Sequence, residues 1–277
     1  MIALVVTVPA SEAEVAADAL WALGVLAVEE RDHPDTDEGM VELWTSLGDD
    51  AGHVRKAAEG LPSRWRWRTV EVDDAVADTW RAHAVPSWIT PDLVVVPDWF
   101  DADAAVGGGP DATVLRIDPG SAFGLGDHPT TVLTLRALRG LLWPDATVLD
   151  VGCGSGVLSV GAAVCGASYV EAIDVSVAAV AATRDNAERN GVAGRVTAST
   201  TALADVDGPF DIVCANILAP TLVDLASDLR RVTAPAGVLV VSGVLADAHD
   251  HVVAALAPMR VVDRLVREGW AAIVLRH

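Results

Sequence analysis

Val148-Leu-Asp-Val-Gly-Cys-Gly-Ser-Gly-Val-Leu158 is the stretch on which the fold turns. An apolar strand reaches Asp150, and glycines then occupy alternate positions at Gly152, Gly154 and Gly156. Glycine lets the backbone turn sharply and lets a ligand lie against it with no Cβ in the way. The helix that follows offers its N-terminal amides. Dinucleotide sites space their glycines as G-x-G-x-x-G, whereas here the pattern is D-x-G-x-G-x-G. The acid ahead of the first glycine would repel a pyrophosphate but suits a methionine ammonium, directly or through water. Spacing and acid together favour S-adenosylmethionine over NAD.

Working outward, Thr147–Val151, Tyr169–Asp174, Arg195–Ser199, Phe210–Ala215 and Val238–Gly243 are apolar strand runs separated by helical stretches. Such an alternation predicts a parallel sheet covered on both faces. The ending differs: Val261–Val266 and Trp270–Arg276 flank the short turn Glu268-Gly269, which forces an antiparallel pair. The expected fold class is therefore α/β, a Rossmann-like seven-stranded sheet, mostly parallel, finishing in a hairpin. Leu93–Val96 and Thr113–Ile117 are further apolar strands around the loop Asp101–Gly109.

The first seventy-odd residues read differently. Ala3–Val8 is strand-like. Ser11 with Glu14 makes a capping box that opens a helix through Ala13, Ala17, Leu20 and Trp21, with Gly24 at its end. Val25–Glu30 and Met40–Ser46 read as strands around a polar loop, Asp50–Gly60 as a helix and Trp65–Val72 as a last strand. The order βαββαβ predicts a ferredoxin-like α+β domain. Asp73–Trp88 reads as helical or irregular. The expected division is a small domain over 1–72, a linker over 73–92 and the large domain over 93–277.

Composition narrows the function classes. Acidic residues number 39 against 19 basic, a net charge of −20, and Lys56 is the only lysine. A surface this negative repels phosphate backbones, so nucleic acid is not an expected direct partner, whereas a basic protein would be attracted. Acidity that only keeps the chain soluble, or reflects a salty or GC-rich source, reads the same way, so charge alone names no partner. No apolar run is long enough for a membrane span, and the start does not read as a signal peptide. Cys153, Cys165 and Cys214 show no pairing pattern, which suits a reducing cytoplasm. His249 and His251, two apart on a helical stretch, do not face together, so no metal site is expected.

Two polar residues stand at strand ends. Asp174 closes the strand after the glycine motif, 22 residues beyond Gly152, where an acid can accept hydrogen bonds from both hydroxyls of a ribose. A helix cap before Ser176 is the alternative reading, and the two roles can coexist. Asn216 closes the strand Phe210-Asp-Ile-Val-Cys-Ala-Asn216, at the sheet edge where ligands of such folds sit. Followed by an apolar residue, it resembles the Asn-Pro-Pro-Tyr element of amino-methyltransferases, whose side-chain carbonyl accepts from the attacking N–H. A plain turn before Pro220 is the alternative reading.

Upstream lies Asp118-Pro-Gly-Ser-Ala-Phe-Gly-Leu-Gly-Asp-His-Pro-Thr-Thr131. This glycine-rich loop resembles the signature loop of the PrmA family, the ribosomal protein L11 methyltransferases, D-P-G-x-A-F-G-T-G-x-H-x-T-T. The resemblance extends through Asp150–Gly156, Arg184-Asp-Asn-Ala-Glu-Arg-Asn-Gly191, Ala215-Asn-Ile-Leu218 and Glu268-Gly-Trp270. It also takes in the N-terminal βαββαβ segment and Trp80-Arg81. By this resemblance Thr131, Gly152, Asp174 and Asn216 contact S-adenosylmethionine, with Asp150 and Gly154 in the same motif, and Phe123 lies over the donor. Asn216 is the candidate catalytic residue, and His128 is structural. Leu125 departs from the family's threonine, beside the expected transfer site.

The resemblance implies in-line displacement at a sulfonium methyl, in which the protein mainly supplies positioning. The acceptor is an amine, a lysine side chain or a terminal amine of the ribosomal protein. It has to arrive neutral, which desolvation near an apolar mouth favours. The chain is expected to act as a monomer. Two other readings stand beside this one: a related methyltransferase for another protein or a small amine, and a non-catalytic S-adenosylmethionine-binding regulator. An acceptor-aiming Asn216 is superfluous in the second.

Overall fold

A computed structural model describes residues 2–21, 23, 25, 28–32, 39–47, 51–71, 84–100, 112–120 and 124–277. The chain divides into two compact units, Met1–Ala84 and Val85–His277.

In the first unit, β1 (Ile2–Pro9), β2 (Glu29–Asp32), β3 (Met40–Ser46) and β4 (Arg66–Glu71) form one sheet in the order β2-β3-β1-β4. Each strand is antiparallel to its neighbours, with Val6 opposite Leu43 and Trp67. Helices α1 (Ala13–Trp21) and α2 (Ala51–Ala58) complete the ferredoxin-like βαββαβ order. Every second residue of β1 turns inward: Leu4, Val6 and Val8 meet Ala16 and Leu20 of α1 and Val54 and Ala58 of α2. Each such side chain contributes about 1.5–3 kcal/mol when fully buried. The second strand begins at Glu29, later than the apolar run at Val25 suggested, because pairing of Glu29–Asp32 with Val41–Trp44 decides where it runs. A 3-10 turn, Ala10–Glu12, precedes α1. The Ser11–Glu14 capping box rests on side chains outside those described, and Gly24 is likewise outside.

The second unit begins with a small sheet, β5 (Ser87–Thr90), β6 (Leu93–Pro97) and β7 (Thr113–Ile117). Ser87 and Trp88 pair with Val95 and Val94, so the segment expected as linker up to residue 92 is already sheet from Ser87 onward. Short pairing across a tight turn overrides the weak local pattern there. Residues 72–83 and 101–111 lie outside the described residues.

Next come α3 (Pro129–Leu141), β8 (Thr147–Val151), α4 (Val157–Val164), β9 (Tyr169–Ile173), α5 (Val177–Arg189), β10 (Val196–Ser199) and β11 (Phe210–Asn216). They are followed by α6 (Ala219–Asp224), α7 (Ala226–Val232), β12 (Thr233–Leu245), α8 (Asp250–Ala255), β13 (Arg260–Arg267) and β14 (Trp270–Arg276). The seven strands lie in the order β10-β9-β8-β11-β12-β14-β13. The first five are parallel, and β14 is antiparallel to both β12 and β13. Neighbouring residues of one strand face opposite layers. Val148, Ile212 and Val240 pack under α3 and α4, while Leu149, Val213 and Leu239 pack against α6, α7 and α8. Strand order reverses between β8 and β11, so their C-terminal ends open a crevice there. Among the described residues no helix is long and apolar enough to cross a membrane.

Candidate active site

At the end of β8, Asp150 is fully buried between Ala172 of β9 and Cys214 of β11. Burial pushes its carboxyl up to about 6, the nearby Asp174 charge adds to this, and a hydrogen bond from Ser159 opposes it. The Ser159 hydroxyl on α4 donates to Oδ2 at 2.5 Å. Oδ1, equally buried, has no hydrogen-bond partner among the described residues. An orphaned buried acceptor costs about 1–3 kcal/mol, more if charged. Such an atom calls for a donor from outside the fold, and a cation or a water supplies one.

Immediately after Asp150 the chain turns through Gly152, Gly154 and Gly156, with φ of 77°, 54° and 79°. This left-handed backbone favours glycine, and packing requires it as well. A Cβ on Gly156 would stand 2.8 Å from Cα of Thr183 on α5, and one on Gly152 would strike Cγ2 of Ile217. The glycine turn is thereby pressed between β11's end and α5.

Asp174 follows β9. Its Oδ2 accepts from the Gly154 amide and its Oδ1 from the Ser176 amide, each at 2.9 Å. The cap of α5 is Ser176 itself, whose hydroxyl accepts from Ala179 N–H. Asp174 therefore braces the glycine turn, and each carboxylate oxygen keeps a second lone pair.

Across the crevice, α3 brings Thr131 to Asn216: the amide nitrogen of Asn216 donates to Thr131 Oγ1 at 3.5 Å, leaving its carbonyl oxygen out of that contact. His128 caps α3, its Nδ1 accepting from Thr130 N–H at 3.3 Å, with Thr130 Oγ1 2.8 Å away. Its ring meets Trp270 edge-on at 5.1 Å. Burial lowers the His128 pKa, against the Asp127 and Glu268 charges that raise it, so the ring is neutral and suited to accept. The sheet's last strand thus fastens the helix that carries Thr131.

Of the residues singled out from the sequence, the structure gathers Thr131, Asp150, Gly152, Gly154, Asp174 and Asn216 at the C-terminal ends of β8, β9 and β11. Phe123 lies outside the described residues. Three supporting groups carried no assigned role. Ser159 was a lone hydroxyl in the apolar run Val157–Val164. Ser155 donates to the Gly124 carbonyl at 2.5 Å, and Asn186 donates to the carbonyls of Asp118 and Ser155 at 2.8 and 2.9 Å. Both tie the glycine-rich loop to the glycine turn. Asn186 on α5 and Asn190 at its C-cap stand at i,i+4 spacing, a legible signal of a common target. The hollow of about 580 Å³ lined by Gly208, Pro209, Arg230, Arg231 and His277 lies at the opposite edge of the sheet.

A parallel sheet with a reversed terminal hairpin, a D-x-G-x-G-x-G turn and an Asn at the switch point define a Rossmann-like methyltransferase. Comparison with known proteins agrees. The profile of the PrmA family, described as Ribosomal protein L11 methyltransferase, matches residues 2–277. A ribosomal protein L11 methyltransferase of Methylococcus capsulatus is 38% identical over 291 residues, spanning 98% of this chain and 97% of that protein. One from Citrifermentans bemidjiense is 41% identical over 215 residues, spanning 75% and 69%. The crystal structure of a ribosomal protein L11 methylase from Lactobacillus delbrueckii subsp. bulgaricus superposes with a TM-score of 0.64 at 32% identity, covering 70% of this chain and all of that one. The chain belongs to the ribosomal protein L11 methyltransferase family.

Proposed function

We propose that this protein uses S-adenosylmethionine to methylate amine nitrogens of ribosomal protein L11, on lysine side chains and on its terminal amine, in the cytoplasm and as a monomer. The observation that carries the donor is the orphaned, buried Asp150 Oδ1 beside a glycine turn. Its chemistry fits an ammonium and disfavours a pyrophosphate. Asp174, braced by two amides, keeps lone pairs for ribose hydroxyls. Gly152 and Gly154 let the donor approach the backbone, Thr131 lies at its far side, and the family resemblance assigns Phe123 to cover it. When bound, the donor supplies an activated methyl on sulfur.

The chain's own contribution is placement. Asn216 accepts from the incoming N–H through its carbonyl oxygen while Thr131 steadies its nitrogen end. The acceptor lysine has an ordinary pKa near about 10.4 and must shed a proton. Desolvation at the mouth, to which Leu125 contributes, favours the neutral amine. The small unit reads the substrate, and the net charge of −20 draws a basic partner. Incubation with labelled S-adenosylmethionine and the complete set of ribosomal proteins tests this reading. Label on L11 amines supports it, and label on another protein or on small amines alone transfers the proposal to that acceptor.

A further inference from the structure

Asp150 is held on one side only. Its neighbours from every packed element are accounted for: Ser159 from α4, Cys153 from the turn, Cys214 from β11 and Asp174 beyond β9. The Cys153 and Cys214 thiols, both pushed up by burial, stay protonated, the first at about 12. Among the described residues Asp174 is therefore the one other charge acting on Asp150, and it is of like sign. Ser159, with no exposed surface, provides the one side-chain hydrogen bond that the carboxylate receives among the described residues, and its own backbone N–H adds a smaller favourable influence. A hydroxyl donated at 2.5 Å fixes which oxygen is engaged and stabilises the ionised form.

We propose that Ser159 is a positioning residue for methyl-donor binding: by engaging Oδ2 it keeps Asp150 ionised and leaves Oδ1 as the acceptor for the donor's amino group. The inference rests on the donor assigned above. Without the Ser159 hydroxyl, Asp150 keeps its burial and its like-charged neighbour but loses the larger of the two influences opposing them, the residue's backbone N–H alone remaining. Its proton is then retained to higher pH, and a neutral carboxyl attracts an ammonium poorly.

The test is equilibrium binding to the intact protein between pH 5.5 and 7.5, below the range of about 7.7–8.0 where a donor α-amine titrates. The ligands are S-adenosylmethionine and methylthioadenosine, which has the nucleoside and thioether but no amino-acid moiety. For wild type, S-adenosylmethionine affinity falls below about pH 6, where Asp150 protonates. For Ser159→Ala the fall begins at higher pH, with affinity about tenfold weaker at pH 6.5 and the deficit shrinking by pH 7.5. Methylthioadenosine binding stays unchanged, which also certifies the fold. Ser159→Cys, close in size but a weak donor, shifts the profile in the same direction and excludes a mere packing defect. Wild-type behaviour of both variants overturns the inference, as does an equal, pH-independent loss of both ligands. A wild-type protein that does not bind S-adenosylmethionine overturns the proposed donor itself, a result distinct from either.

Discussion

Asn186 and Asp118, 68 positions apart, exchange two hydrogen bonds: Asn186 Oδ1 accepts from the Asp118 amide at 3.0 Å and its Nδ2 donates to the Asp118 carbonyl at 2.8 Å. The side chain stands in for a missing strand at the end of β7. Asn190, one turn later, does the same for Arg116. Since Asn186 also donates to Ser155, one buried amide joins the start of the glycine-rich loop to the glycine turn. Asn186→Ala should cost about 2–4 kcal/mol in urea unfolding, because buried backbone groups lose partners. It should also weaken donor binding. A loss under about 0.5 kcal/mol would show that the clamp is dispensable.

Asp150 predicts a conflict between stability and function. Its folded pKa of about 6 lies above the ordinary 3.8, so the folded chain holds this proton more tightly than the unfolded chain. Its contribution is fully present below pH 3.8 and is lost as pH rises through about 6. Holding the proton up to about 6 instead of the ordinary 3.8 corresponds to at most about 3 kcal/mol. Asp150→Asn should therefore raise the melting temperature of the ligand-free protein at pH 8 while donor affinity collapses. Chemical denaturation at pH 5 and pH 8 checks the sign: the variant's gain should be larger at pH 8.

Gly156→Ala separates conformation from ligand contact. The position needs φ of 79° and leaves 2.8 Å to the Thr183 backbone. Strain and overlap together should destabilise by more than about 2 kcal/mol before any donor is added. A variant of native stability would mean that α5 can move away from the turn.

For Asn216→Ala the expected effect is on turnover. Single-turnover methylation should slow about a hundredfold or more, as for loss of an orienting group at the reacting atoms. Donor affinity, read calorimetrically, should change little. Comparable loss of both would make Asn216 a structural partner of Thr131.

The small unit gives the last expectation. A chain lacking residues 1–84 should bind the donor normally and fail to methylate L11. Raising salt to about 0.5 M should slow the intact enzyme mainly through weaker protein association, since screening shortens to a few ångströms. Full activity of the shortened chain on L11 would remove substrate reading from this unit.

Local sequence determined the elements and the turn chemistry. Strands of the large sheet, the left-handed glycines and the terminal hairpin were legible because each depends on neighbours within a few residues: apolar periodicity, absence of a Cβ, a turn too short for any crossover. The same holds for Asp150, Asp174 and Asn216, each announced by ending a strand. What only the tertiary structure decided depends on groups far apart in the chain. Pairing with β3 set where β2 begins, and pairing with β6 turned Ser87–Thr90 into sheet. The meeting of Thr131 with Asn216, 85 positions away, follows from how α3 packs across the sheet. Ser159 and Asn186 looked like ordinary polar residues on helices, because a side chain's hydrogen-bond partner is set by packing, which no short window of sequence contains. The orphaned oxygen of Asp150 belongs to the same class: burial on all sides is a property of the assembled layers, and it is burial that turns a common aspartate into a group requiring a ligand.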